Sequence, residues 1–109
     1  MEIALRRLII SRPSGDIEVP VRLFQPEDDN GMWICRYEID WPDRTKSHFA
    51  AGVDAFQALI LALQSIGAEV YASKYHKSGS LQWFERHRGY GFPVGSNLRD
   101  LLIGDDANL

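Results

Sequence analysis

Hydrophobic residues in the first half of the chain recur at every second position, which is the period of a strand with one buried face. Four such runs, separated by turn-forming residues, occupy positions 3–11, 17–24, 32–41 and 45–53. In the third run the odd positions from Trp33 to Trp41 are hydrophobic, and the even positions from Arg36 to Asp40 are charged. The pattern predicts a meander of four antiparallel strands with one face in the core and one in water.

Three details refine this sheet. Pro20 has no N–H to donate, so we expect the second strand to lie at an edge or to turn that nitrogen outward. The acidic stretch 26–31, which ends in Asn-Gly, is expected to be a polar loop between strands. In the fourth run we expect Phe49, Ala51 and Val53 to continue the apolar face.

The period changes at Asp54, whose carboxylate can cap a helix while Gln57 reaches back in a capping box. We expect this helix to run to about Ser73. Its predicted sheet-facing stripe consists of Phe56, Leu59, Ile60, Leu63, Ile66, Gly67 and Val70. Because Ala58, Leu61 and Ala62 extend the hydrophobic surface further, the helix also needs cover on its second side, from the C-terminal segment or from another copy. Gly67 costs about 1 kcal/mol in a helix interior, so it is expected to mark a close approach to the sheet or an early end.

The rest of the chain is less regular. We expect a polar loop at 75–80, a fifth short strand at 81–85, an irregular Gly-rich stretch at 86–95 and a short helical turn at 97–102. The predicted fold class is α+β, with an antiparallel four- to five-stranded meander sheet packed against one long helix. Residues 1–104 are expected to form one domain, and residues 105–109 a frayed tail.

Composition supports one independently folding core. A chain of 109 residues with 45% hydrophobic residues can bury roughly two-thirds of its unfolded surface. A net charge of −3 neither recruits nor repels nucleic acid strongly. The single cysteine, Cys35, cannot form an intramolecular disulfide, and we expect a cytoplasmic protein without a signal peptide. No apolar stretch is expected to reach the ~18 residues of a membrane span, so no membrane partner is expected.

The segment 74–92 interleaves cations with aromatic rings. Its stretch 88–92, Arg-Gly-Tyr-Gly-Phe, matches the start of the RNA-binding signature of the RRM fold, but Pro93 and the strand order argue against that fold. A weaker hypothesis is a surface for single-stranded nucleic acid, a nucleotide or an acidic protein patch. The candidate binding residues are Lys74, Tyr75, Lys77, Trp83, Arg86, Arg88 and Tyr90. The competing interpretation, which the acidic chain favours, places Trp83 and Phe92 in the core and leaves the cations solvated.

No catalytic or metal-binding set is recognisable. His48, His76 and His87 are not paired at ligand spacing, and Cys35 shares the apolar face of its strand, so we assign no catalytic residue, metal or cofactor. An enzyme that combines one histidine with a carboxylate from another strand stays open as an alternative. The acidic loop 27–31 is interpreted as a solvated hairpin tip. The alternative is an acidic patch that attracts a basic partner protein.

Two stretches carry a family resemblance: Met-Trp-Ile-Cys-Arg-Tyr-Glu-Ile at 32–39, and Gly-Val-Asp-Ala-Phe-Gln-Ala-Leu at 52–59. They resemble small bacterial proteins grouped as a domain of unknown function, whose helix opens Gly-Val-Asp-x-x-Gln-Ala-Leu. The resemblance covers most of residues 3–94. It implies a short meander joined to a helix and a bacterial origin, and it supplies no site residues.

The short chain, its apolar helix and the lack of a catalytic set favour a non-enzymatic protein-interaction module, such as an immunity or regulatory partner. We expect it to bind another protein and to form a homodimer through the helix or an open sheet edge. The alternatives are the nucleic-acid or nucleotide binder and the enzyme with a non-local site.

Overall fold

The four alternating runs form strands at the predicted positions. The computed structural model describes all 109 residues and confirms the α+β class, with an antiparallel sheet packed against one long helix. The strands are β1 (Glu2–Ile10), β2 (Ile17–Phe24), β3 (Glu27–Asp29), β4 (Met32–Trp41), β5 (Arg44–Gly52) and β6 (Leu81–Gln82). The helices are α1 (Ala55–Ala72), the single turn α2 (Lys74–Lys77) and two 3-10 helices, Ser96–Leu101 and Gly104–Asn108.

The predicted meander is confirmed, because β1 pairs with β2, β2 with β4 and β4 with β5. β6 adds to the other edge of β1. The strand that contains Pro20 pairs on both sides, so the edge alternative is wrong. Its pairing with β4 begins only at Val21, so Pro20 itself has no partner residue on β4. Part of the expected loop 26–31 is β3, which forms a hairpin with β4 through Asn30 and Gly31, both at positive φ.

The apolar face of β5 was predicted on the odd-numbered residues, but the even-numbered residues face the core. Phe49 and Val53 are exposed, and Ala51 is exposed with them, whereas Ala50 and Gly52 face the core opposite Cys35 and Trp33. The cause is the two-residue turn after β4, which places Trp41 opposite Arg44. Residues opposite each other share a face of the sheet, so the odd positions of β4 match the even positions of β5.

Helix α1 begins as predicted at Asp54, whose Oδ1 accepts the Gln57 backbone N–H at 2.8 Å. The Gln57 side chain reaches one residue further back than a capping box requires and accepts the N–H of Val53 at 2.7 Å. The helix ends at Ala72, with Ser73 as its C-cap.

The predicted sheet-facing stripe of α1 is correct for Ile66 and Val70 and wrong for Phe56 and Ile60. Ala58 and Ala62 are fully buried instead. A Cβ added to Gly52 would lie 2.6 Å from the Ala58 backbone nitrogen, so the helix lies very close to the end of β5. Small residues on both sides permit this contact, and the large side chains of Phe56 and Ile60 turn away from the sheet.

The C-terminal segment covers the second side of α1. A Cβ on Gly67 would overlap the carbonyl oxygen of Pro93, so this glycine marks a close approach, to that segment rather than to the sheet. The strand expected at 81–85 stops at Gln82, before Phe84 at φ 61°. Where a frayed tail was expected at 105–109, the structure has a 3-10 helix at Gly104–Asn108, and Asp106 is only 1% exposed.

The expected polar loop 75–80 begins as helix α2, for which Ser73 is the N-cap. Its side chain accepts the His76 N–H at 3.1 Å.

One helix is long and apolar enough to cross a membrane, by length and composition alone. The 18 residues of α1 have a mean hydropathy of 1.3, so the expectation that no segment approaches this length is not met. In the fold α1 lies on the sheet, and Ala58, Ala62, Ile66 and Val70 form part of its hydrophobic core. Core helices of soluble proteins share these properties.

Candidate interaction surfaces

The seven predicted binding residues do not form one continuous surface. Two of them, Lys74 and Tyr75, lie against the β4–β5 turn. The Tyr75 ring stacks on Trp41, with centroids 5.4 Å apart and planes 20° apart. The Lys74 Nζ lies 4.0 Å from the Asp43 carboxylate. Lys74 is therefore partly neutralised within the chain.

Trp83 and Arg88 border a different cavity, of about 430 Å³. The Arg6 guanidinium lies 3.8 Å from the centroid of the Trp83 ring, so one face of this ring is already covered. Arg88 lies 3.0 Å from Asp105 and 3.5 Å from Glu85. Two carboxylates oppose this one cation, so the cavity offers an anion little net attraction.

Tyr90 is buried and cannot stack on a base. Its hydroxyl lies 2.5 Å from the His76 Nδ1, and its ring packs edge-on against Tyr71. Burial, together with the nearby charge of Asp106, raises the pKa of Tyr90 to about 12, so the hydroxyl keeps its proton. Burial lowers the pKa of His76 and favours the neutral ring at pH 7. The Tyr90 hydroxyl therefore donates to His76.

A buried carboxylate holds the end of the chain against the core. Asp106 Oδ2 accepts from the Tyr71 hydroxyl at 2.6 Å and from the Tyr90 N–H at 2.7 Å, and Oδ1 accepts from the Gly91 N–H at 2.6 Å. Burial and the Asp106 hydrogen bond raise the pKa of Tyr71. Gly89, at φ 91°, leaves room for this carboxylate, because a Cβ there would lie 2.5 Å from its carbon. We call this arrangement the Asp106 clamp.

Arg6 holds the same loop from the sheet side. Its Nη1 donates to the carbonyl oxygens of Tyr90 at 3.2 Å and Gly91 at 2.9 Å. Burial lowers the pKa of Arg6, while the negative charge of Asp106 raises it. Together Arg6 and the Asp106 clamp fix both backbone polar groups of the Tyr90–Gly91 stretch.

Sequence reasoning missed Arg6 and Asp106. Arg6 could have been found from the strand pattern. It is an even-numbered residue of β1, like the buried Leu8 and Ile10, so its side chain lies on the core face. A charged residue on a core face requires a buried partner. Asp106 has no such signal, because it lies outside any periodic pattern. Its donors, Tyr71, Tyr90 and Gly91, are distant in the sequence and meet it only in the fold.

The histidines and Cys35 assemble no catalytic pair. His76 lines a cleft of about 650 Å³ that contains no carboxylate. His48 and Glu38 border a cavity of about 360 Å³ but lie on opposite faces of the sheet. The Cys35 side chain is fully buried, and burial raises the pKa of its thiol. No three His, Cys, Asp or Glu side chains lie close enough to hold a metal ion.

The clearest exposed apolar surface lies at the start of α1. Val53, Phe56 and Ile60 are 74%, 78% and 51% exposed. Phe56 and Ile60 are one turn apart and lead along the helix towards Gly67, where the C-terminal segment covers the same side. We call these three residues the α1 apolar patch. It is the part of this helix side that the chain itself leaves open.

The free edge of β5 is partly blocked by side chains. Because Trp41 pairs with Arg44, the odd residues of β5 direct their N–H and C=O groups away from β4. The Phe49 N–H donates to the His48 Nδ1 at 2.8 Å, and the Val53 N–H donates to Gln57. Two donors that an added strand would need are thus occupied, which favours the helix over this edge as a contact surface.

Comparison with known proteins identifies the family. Residues 4–94 match the family model described as Domain of unknown function (DUF6968). The chain belongs to this family. The resemblance to a domain of unknown function, inferred from residues 32–39 and 52–59, is thereby confirmed. Searches of curated proteins and of solved structures found no significant match.

The DUF6968 segment contains the sheet except for the first two residues of β1, together with α1, α2 and the loop that carries Tyr90. Its matched residues end at Val94, before the Ser96–Leu101 helix and the Gly104–Asn108 helix. The α1 apolar patch and Arg6 lie inside the matched segment, whereas Asp106 lies after it.

Proposed function

We propose that this DUF6968 protein is a non-enzymatic protein-interaction module of the bacterial cytoplasm, and that the α1 apolar patch is its contact surface. The exposure of Phe56 and Ile60 on a capped helix carries the proposal. Contiguous exposed apolar residues mark interaction sites, and aromatic anchors supply much of the binding free energy at such sites. A groove on a partner can take an apolar helix face of this kind.

The size of the patch favours a regulatory partner over a permanent subunit. Three side chains of this size offer roughly 300–400 Å² of apolar surface, about half of the ~800 Å² that one partner contributes to a standard interface. A contact of that size is reversible. A regulatory protein therefore fits better than an obligate homodimer, and self-association through the same patch is expected only at high concentration.

The proposed compartment rests on Cys35, a buried free thiol, which suits a reducing cytoplasm. The bacterial origin rests on the family resemblance of residues 32–39 and 52–59. Both stand as parts of the proposal.

Replacement of Phe56 with aspartate is expected to weaken capture of the partner at least tenfold, because it places a charge in the centre of the apolar contact. The immobilised full chain, incubated with lysate of its own cell, measures capture, and light scattering measures self-association. Phe84→Asp is the matched control, because Phe84 is 82% exposed but lies outside the patch. Equal losses in both variants, or a wild-type chain that is strictly monomeric and captures no protein, would contradict the proposal.

The rival nucleic-acid hypothesis has lost part of its support, since Tyr90 is buried and Lys74 and Arg88 face carboxylates. Lys77 and Arg86 form no ion pair and are the cations that still favour it. We expect short single strands to show no binding at ~50 mM salt by fluorescence anisotropy. Binding that weakens steeply with added salt, and that Lys77→Gln and Arg86→Gln reduce, would favour the rival.

A further inference from the structure

An open cleft of about 650 Å³ separates the C-terminal half of α1 and α2 from the Ser96–Leu101 helix. Its lining consists of Ala68, Tyr71, Ala72, His76, Lys77, Leu98 and Leu101. The alanines on α1 leave space that larger residues would fill, and Leu101 is exposed on the far wall. The volume lies within the range of small-molecule sites, and apolar walls with few polar groups are typical of them. We call it the α1–α2 cleft.

The polar groups that this cleft leaves for a ligand are hydrogen-bond donors. Of the three lysines, Lys46 pairs with Glu69 and Lys74 with Asp43, whereas Lys77 has no carboxylate partner. The Tyr71 hydroxyl is committed to Asp106. A ligand therefore meets an uncompensated ammonium group at an apolar wall.

His76 provides the second donor. Its Nδ1 accepts a hydrogen bond from the Tyr90 hydroxyl, so the neutral ring carries its own proton on Nε2. No group of the chain bonds to Nε2. One cation and one neutral donor match a single carboxylate, while a phosphate dianion would need more positive charge.

We propose that the α1–α2 cleft binds a small monocarboxylic acid with an apolar chain. The chain lies between the alanines of α1 and the two leucines of the 3-10 helix, and the carboxylate meets Lys77 and His76. This site goes beyond the protein-binding function. Ala72 lies twelve residues after Ile60, about 18 Å along the helix, so the two surfaces can be tested separately.

Octanoate is the probe, and calorimetric titration of the full chain is the measurement. We expect octanoate to bind at least tenfold more tightly than 1-octanol, which has a similar chain but no charge. Lys77→Gln is expected to reduce octanoate affinity about tenfold. Lys74→Gln is the matched control, because it removes the same charge from the same turn of helix but faces Asp43.

A variant that fills the cleft gives a second readout. Ala72→Trp, at an exposed position on the rim, is expected to abolish binding of both probes without disturbing the core. In the wild type, octanoate is expected to shift the NMR signals of Ala68 and Leu98. The proposal is overturned if octanoate does not bind at millimolar concentration, if octanol binds equally well, or if the two lysine variants lose affinity equally.

Discussion

Replacement of Asp106 with alanine is expected to lower the free energy of unfolding by about 3 kcal/mol, which is large for a residue in the last helical turn. The substitution leaves the Tyr71 hydroxyl and the N–H groups of Tyr90 and Gly91 without their acceptor. It also removes the negative charge that offsets the partly buried Arg6. Urea unfolding, followed by far-UV circular dichroism, measures the change.

Asp105→Ala is the control for this prediction. Asp105 is exposed and pairs with the exposed Arg88, so its loss is expected to cost less than about 1 kcal/mol. Both variants remove one negative charge from adjacent positions, and only burial and hydrogen bonding distinguish them. If Asp106→Ala stays within about 0.5 kcal/mol of the wild type, the Asp106 clamp does not stabilise the fold.

Local periodicity was sufficient to predict most of the secondary structure. The strands follow from period-two alternation, and the start of the helix follows from Asp54 and Gln57. Both signals depend only on residues within four positions of each other in the sequence. The face of β5 was also predictable in principle. Because the turn after Trp41 has two residues, each odd-numbered residue of β4 lies opposite an even-numbered residue of β5. Tyr37 is therefore opposite His48, and Phe49 lies on the other face of the sheet from Tyr37.

The rotation of α1 on the sheet could not be read from hydrophobicity alone. Phe56 and Ile60 are among its most apolar residues, yet they are exposed, while Ala58 and Ala62 are buried. Close packing is decided by shape as well as by polarity, and alanines permit the approach to Gly52 that larger residues would prevent. The residues that make up the α1 apolar patch were therefore identified only from the structure.

The candidate sites show the same limit more strongly. Lys74 and Arg88 lie close in sequence but pair with Asp43 and Asp105, which come from different parts of the chain. The α1–α2 cleft depends on where Leu98 and Leu101 meet α1, and no periodic pattern specifies that contact. Sequence proximity alone therefore placed the binding residues on one surface, and the tertiary fold separates them.

Gly67 offers a test in which sequence and structure predict opposite signs. From helix propensity alone, Gly67→Ala would stabilise the protein by about 1 kcal/mol. In the fold, the added Cβ would overlap the Pro93 carbonyl oxygen and would lie 3.0 Å from the Val94 side chain. The first of these atoms belongs to the backbone, so relief requires the segment to move away from α1 and to expose Phe92 and Val94, both now buried.

We expect this loss of packing to exceed the propensity gain, so that Gly67→Ala lowers the free energy of unfolding by about 2 kcal/mol or more. Gly95→Ala is the control, because its Cβ would meet only the flexible Asn97 side chain, at 3.0 Å, and we expect a change within about 1 kcal/mol. Urea unfolding measures both variants, and hydrogen exchange of the Tyr90 amide reports whether the segment detaches. Net stabilisation by Gly67→Ala would mean that the C-terminal segment does not rest on α1.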